Sequence, residues 1–190
     1  MLVDRTHLTD EVIPQVSYRR GPADDLVAIR GLLHVVLTGP DGQTKYDEWI
    51  NNLVTQIGDQ YYGERAAGIG GAPAAVTGMQ LGTGATAAAK TGAGAAIVTL
   101  VPSSLVGLSG TPSSALEGSS RRIGYAVSWG AGVATANGIQ EVALVNQSTG
   151  TQTVAPASAT IARALLSPVV NKAALDVLNI TWYHDLLGGA

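Results

Sequence analysis

RIGYAVSWGAGVATANGIQEVALVN, residues 122–146, holds two alternating runs separated by a Gly/Ala/Thr stretch. Arg122–Trp129 alternates, and so does Gly138–Asn146. Alternation with a period of two places one set of side chains on one face of a strand. Ala159–Leu166 and Val177–Asp185 (VLNITWYHD) read as two further strands, with Gln147–Ser158 a turn-rich connection. Short strands at this spacing, joined by Gly/Ser/Thr turns, predict an antiparallel β-sandwich or jelly-roll-like domain.

Upstream, VAIRGLLHVVLT (Val27–Thr38) is strand-like and rich in β-branched residues. Gly39-Pro40-Asp41-Gly42 follows as a turn, since Pro presets φ and Asp-Gly makes a tight return. Gln43–Ile50 is then the returning strand. Asn51–Ala67 is the one helix candidate, with Asn51 or Asn52 as cap and Leu53, Ile57 and Tyr61 on one face. The Gly/Ala/Thr-rich stretch 68–96 contains one short strand, Val76–Leu81, and otherwise loop or a weak helical turn. Ile97–Leu108 is apolar but broken at Pro102, and 109–120 reads as a loop.

The charge is uneven. Sixteen of the 25 charged residues fall in residues 1–65 and nine in 66–190. The division is therefore an extended N-terminal arm, 1–25, and a β-rich body, 26–190. Val12, Ile13, Val16 and Tyr18 give the arm apolar side chains to bury, with a short strand expected around Ile13–Tyr18. Only 13% of all residues are charged, against about 25% in a typical domain. So little charge leaves a sticky monomer surface, which other subunits would cover.

The same numbers narrow the function. The net charge of −3 argues against a general electrostatic grip on nucleic acid or anionic lipid. Arg19-Arg20 and Arg121-Arg122 are the only adjacent basic pairs, and they read as solvated or interface pairs. The absence of cysteine excludes disulfides and thiolate-bound metal. No secretory signal and no membrane span is expected.

Motifs for chemistry are weak. His7, His34 and His184 stand far apart, without carboxylates at metal-ligand spacing. His34 reads as a packed or edge histidine. His184-Asp185 would point to opposite strand faces, so Asp185 is badly placed to orient the imidazole. Gly82-Thr83-Gly84 has no acidic residue near the position a dinucleotide loop needs, and reads as a tight structural turn. Asp24-Asp25 and Asp47-Glu48 read as solvated charge. No catalytic residue, cofactor or metal site is expected. Trp182 is expected in the core, while Trp49 and Trp129 fit either core or interface.

Set in order, several segments resemble a group of tailed-bacteriophage virion proteins. They are Asn52–Gly58 (NLVTQIG), Leu81–Ala89 (LGTGATAAA), Ile139–Asn146 (IQEVALVN), Ile161–Lys172 (IARALLSPVVNK) and Leu178–Trp182 (LNITW). Departures exist: Val142 and Ala143 stand where Ala and Gly are usual, and 147–158 is longer than usual. The resemblance implies a non-enzymatic particle component located in the virion and assembled in the host cytoplasm. The leading expectation is a capsid decoration (cement) protein, a homotrimer bridging major capsid protein subunits. The alternative is a minor tail, collar or tail-tip protein that contacts tail proteins. Val12, Ile13, Val16, Tyr18, Arg19, Arg20 and Trp129 are the interface candidates. A third reading, a virion-surface carbohydrate-binding module, would use Trp129 with Tyr125 on one strand face.

Overall fold

The computed structural model describes residues 29–186. Two five-stranded antiparallel sheets face each other across one core, so the expected sandwich is found.

The first sheet starts from the expected hairpin. β1 (Arg30–Thr38) returns as β2 (Thr44–Asn51). At the turn, Gly42 takes φ +78°, its N–H donates to Gly39 O at 3.0 Å, and Gln43 N–H donates to Asp41 Oδ1 at 3.1 Å. β10 (Val177–Leu186) pairs with β1, β7 (Ser120–Trp129) with β10, and β6 (Ser113–Glu117) with β7. The order is β2-β1-β10-β7-β6. Register aligns the apolar rows: Leu33, Trp182 and Tyr125 sit side by side, as do Val35, Ile180 and Val127. All six face the core.

β6 lies in the span expected to be loop. Its sequence SSALE has no apolar alternation because it is an edge strand with every residue exposed. Pairing to β7 alone forms it.

The second sheet consists of β3 (Leu53–Val54), β4 (Gly78–Gly82), β5 (Val106–Gly107), β8 (Ala136–Val145) and β9 (Thr160–Lys172). Their order is β3-β9-β8-β4-β5. Val142 and Leu144 of β8 enter the main core, while Ala143 and Val145 join a second cluster with Ile97, Leu105 and Ala155. The middle of this sheet is therefore covered on both faces. The outer cover is the Gly/Ala/Thr-rich chain between β4 and β5.

The helix differs from expectation at its start. α1 spans Gln56–Ala66, and Thr55 caps it by accepting from Gly58 N–H at 3.1 Å. Asn51 ends β2, and Leu53–Val54 pair with Arg163 and Ala162 of β9. The chain crosses from one sheet to the other at Asn52, and β pairing takes the residues the helical pattern claimed. Gly58 lets α1 approach β9 closely: a Cβ there would lie 2.1 Å from Ile161 O.

Candidate functional site

Four features merit attention: a buried ion pair, a buried histidine cluster, an exposed ring stack and a cleft.

Glu141 on β8 and Arg163 on β9 are both fully buried and form an ion pair through Oε1 and Nη2. Glu141 also accepts from Gly84 N–H at 2.9 Å, Val98 N–H at 3.0 Å and Thr99 N–H at 3.1 Å. Arg163 Nη1 donates to Gly94 O at 3.2 Å. The covering chain has little secondary structure of its own, so its buried N–H groups need acceptors. Glu141 supplies them. The glycines follow from this geometry: a Cβ on Gly82 or Gly84 would lie 2.4 or 2.7 Å from Glu141 Oε2. Gly82-Thr83-Gly84 is thus a cradle for the protein's own carboxylate. Gly82 closes β4, and Thr83 N–H donates to Thr99 O at 2.8 Å, so the chain runs on without the expected tight turn because it pairs with the covering segment.

His184 on β10 is completely buried. Trp182 Nε1–H, which can only donate, points to His184 Nε2 at 3.0 Å, and Asn52 Nδ2 approaches the same nitrogen at 3.1 Å. The ring proton is therefore assigned to Nδ1, which faces Tyr62 Oη at 2.5 Å. Tyr62 Oη in turn lies 3.2 Å from Tyr125 Oη. Burial lowers the His184 pKa to about 3 and pushes the Tyr125 phenol up to about 12. The cluster is a neutral, proton-holding network. Asp185 points away, as expected, and its carboxylate is held by Arg122 at 2.7 and 2.9 Å. That guanidinium keeps the Asp185 pKa below the usual carboxylate value.

On the outer face of the first sheet, Trp49 stacks on His34 with centroids 4.3 Å apart and planes 6° from parallel. Tyr183 continues the stack at 5.9 Å, with the Arg122 guanidinium over its ring. His34 Nε2 also meets Asp47 Oδ1 at 2.7 Å, so Asp47 is more engaged than solvated charge. Trp49 remains 53% exposed.

A cleft of about 1030 Å³ opens between α1 and the β6–β7 end of the first sheet. Ile29, Tyr61, Val76, Ile123, Tyr125 and Leu186 supply most of its apolar wall, with Arg65 and the Asp59–Lys90 pair also lining it.

The interface candidates fare unequally. Val12, Ile13, Val16, Tyr18, Arg19 and Arg20 lie outside the described residues, as do His7 and Asp24-Asp25. Trp129 is corrected: it is wholly buried, and its Nε1–H donates to Ser104 O at 2.8 Å. It is a core residue because its side of β7 faces the opposing sheet. Tyr125 is buried on the same face, so this pair offers no exposed platform for a sugar. Trp182 is in the core, as expected. Trp49, left open between core and surface, is the exposed tryptophan. The sequence reading missed Glu141 and Arg163 as a pair. The available signal was one acid and one base set inside apolar strands of a region with few charges.

Among the described residues, no group of three or more His, Asp or Glu is placed to hold a metal ion. No described helix is long and apolar enough to cross a membrane. Comparison with protein-family models, curated proteins and solved structures finds no match.

Proposed function

We propose that this chain is a non-enzymatic structural protein of a tailed-bacteriophage particle, acting as a capsid decoration protein that bridges major capsid subunits, as a homotrimer. One observation carries the reading. Leu81–Ala89, Ile139–Asn146 and Ile161–Lys172 are far apart in sequence, yet Gly82, Gly84, Glu141 and Arg163 from these segments meet at one buried point. A chance likeness between Gly/Ala-rich stretches has no reason to select four residues that depend on one another. This convergence supports the reading, because the residues that carry the resemblance serve the scaffold of this chain. The low charge and the exposed Trp49, Ile69, Leu116 and Leu175 fit a body that buries surface against neighbours.

The test is the copy number per purified virion, by quantitative mass spectrometry against the major capsid protein. One copy per capsid subunit, or a simple fraction, supports decoration. A few to a few dozen copies per particle would assign it to the tail or collar, and absence from particles would overturn the structural role.

The exposed Trp49–His34–Tyr183 stack favours a second reading, carbohydrate binding, at a different place from the Trp129–Tyr125 pair. Trp49, more than half exposed within this stack, suits stacking against a sugar ring. Glycan-array binding that is lost in Trp49→Ala would support it; no binding by the parent protein would remove it.

A further inference from the structure

We infer that the cleft between α1 and the β6–β7 end of the first sheet is the docking site for this chain's own N-terminal segment, Asp10–Tyr18, folded back in cis. Three observations converge on that occupant.

The first is where the described chain begins. Ile29 itself lines the cleft, so the preceding residues start from its rim. Ten residues separate Tyr18 from Ile29, and ten residues reach at most ~33 Å. That is ample to return Val12–Tyr18 to a cleft whose wall includes Ile29.

The second is the character of the wall. Ile123 and Tyr61 are half-buried and pack against the main core, so among the described residues the cleft is an uncovered end of that core. Its volume of about 1030 Å³ is at the upper end of drug-sized pockets, room for several side chains. Val12, Ile13, Val16 and Tyr18 bring four apolar side chains within seven residues. Burial of this kind contributes to stability in proportion to the area removed from water.

The third is charge. Arg65 lines the cleft, lies over the Tyr61 ring and donates to Pro73 O, but forms no ion pair among the described residues. Asp10-Glu11 stands directly before the apolar stretch. With Val12–Tyr18 seated in the cleft, this acidic pair is available to Arg65.

The chain has no cysteine, so paired cysteines report position cleanly. Ser114 is exposed and lines the cleft. In the full chain, Ser114→Cys would be combined in turn with Val12→Cys, Ile13→Cys, Val16→Cys and Tyr18→Cys. The control partner is Thr44→Cys on β2, at the opposite edge of the same sheet and four strand spacings away, or ~19 Å. Under mild oxidation, at least one Ser114 pair should close within the monomer roughly ten-fold faster than its Thr44 counterpart, because docking raises the effective thiol concentration. Circular dichroism checks that each variant is folded. Equal rates with Ser114 and Thr44, or no closure, would overturn the docking site. Disulfide-linked dimers through Ser114 would also overturn the cis assignment, since the cleft would then hold a second copy's arm.

Discussion

Arg163 on β9 donates to Glu141 on β8 with both side chains fully buried, and the same carboxylate holds the backbone of the chain that covers them. The pair therefore fastens the outer layer of the sandwich, not merely two strands. A buried charge stripped of its partner typically costs ~3–5 kcal/mol. Glu141→Gln and Arg163→Met should each destabilise the protein by about that much in urea denaturation. The double variants separate the two roles of Glu141. Glu141→Gln with Arg163→Met keeps an acceptor oxygen for the Gly84, Val98 and Thr99 N–H groups. Glu141→Leu with Arg163→Met does not, and should be the less stable of the two. Equal stability would mean that the covering chain does not depend on this acceptor.

The two glycines of α1 predict opposite signs. In a helix interior, Gly→Ala ordinarily stabilises by ~0.5–1 kcal/mol. At Gly63 a Cβ would meet nothing within 4 Å, so Gly63→Ala should follow that rule and raise the melting temperature by ~1–4 °C. At Gly58 the Cβ would lie 2.1 Å from Ile161 O and 2.5 Å from Val54 Cγ1. Gly58→Ala should therefore lower stability by ~1–3 kcal/mol, the usual cost of overpacking. Thermal unfolding of the two variants side by side checks the contrast. The same sign for both would show that α1 is not held tightly against β9.

What the sequence made legible follows from periodicity. Val27–Thr38, Arg122–Trp129 and Val177–Asp185 announce themselves because one face of each meets the core, and β1, β7 and β10 form there. β6 was silent because an edge strand with no buried face has no pattern to show. The helix start was misplaced because Leu53 fits a helical row as well as a strand, and only the distant partner Arg163 decides between them. The same holds for the polar clusters. His184, Tyr62 and Tyr125 come from three separate elements and Asn52 from the β2–β3 crossing, and local spacing carries no signal of their meeting. Trp49 and Trp129 were undecided for a related reason: a large ring suits a core or an interface equally, and sheet order settles which.

That settlement for the tryptophans is testable. Trp129 is fully buried with its indole N–H satisfied by Ser104 O, whereas Trp49 is mostly exposed against His34. Trp129→Ala should cost ~3–5 kcal/mol. Trp49→Ala should cost under ~1.5 kcal/mol, the range of a ring-stacking contact. Chemical denaturation of each variant reads the difference directly. If Trp49 proved as costly as Trp129, its stack on His34 would be a structural element of the sheet and not a free surface.

His184 predicts an acid-side loss of stability whose position differs from that of carboxylates. Its pKa is near 6.5 in the unfolded chain and falls to about 3 in the fold, through burial. The folded state thus binds the proton less readily than the unfolded state. The neutral ring's contribution is complete above the unfolded value and is lost as pH falls from there toward 3. Between pH 7 and pH 5 the loss should be ~2 kcal/mol, with a slope approaching one proton. Trp182, Asn52 and Tyr62 surround the ring without a carboxylate among its hydrogen-bond partners, and the nearby Asp185 carboxylate, held by Arg122, offsets the effect of burial only in part. His184→Gln removes the titrating group and should flatten that part of the profile, whatever its effect on stability at pH 7. Denaturation midpoints measured at pH 7, 6 and 5 for both proteins provide the check. An unchanged slope in the variant would place the titrating group elsewhere and show that His184 does not control stability in this range.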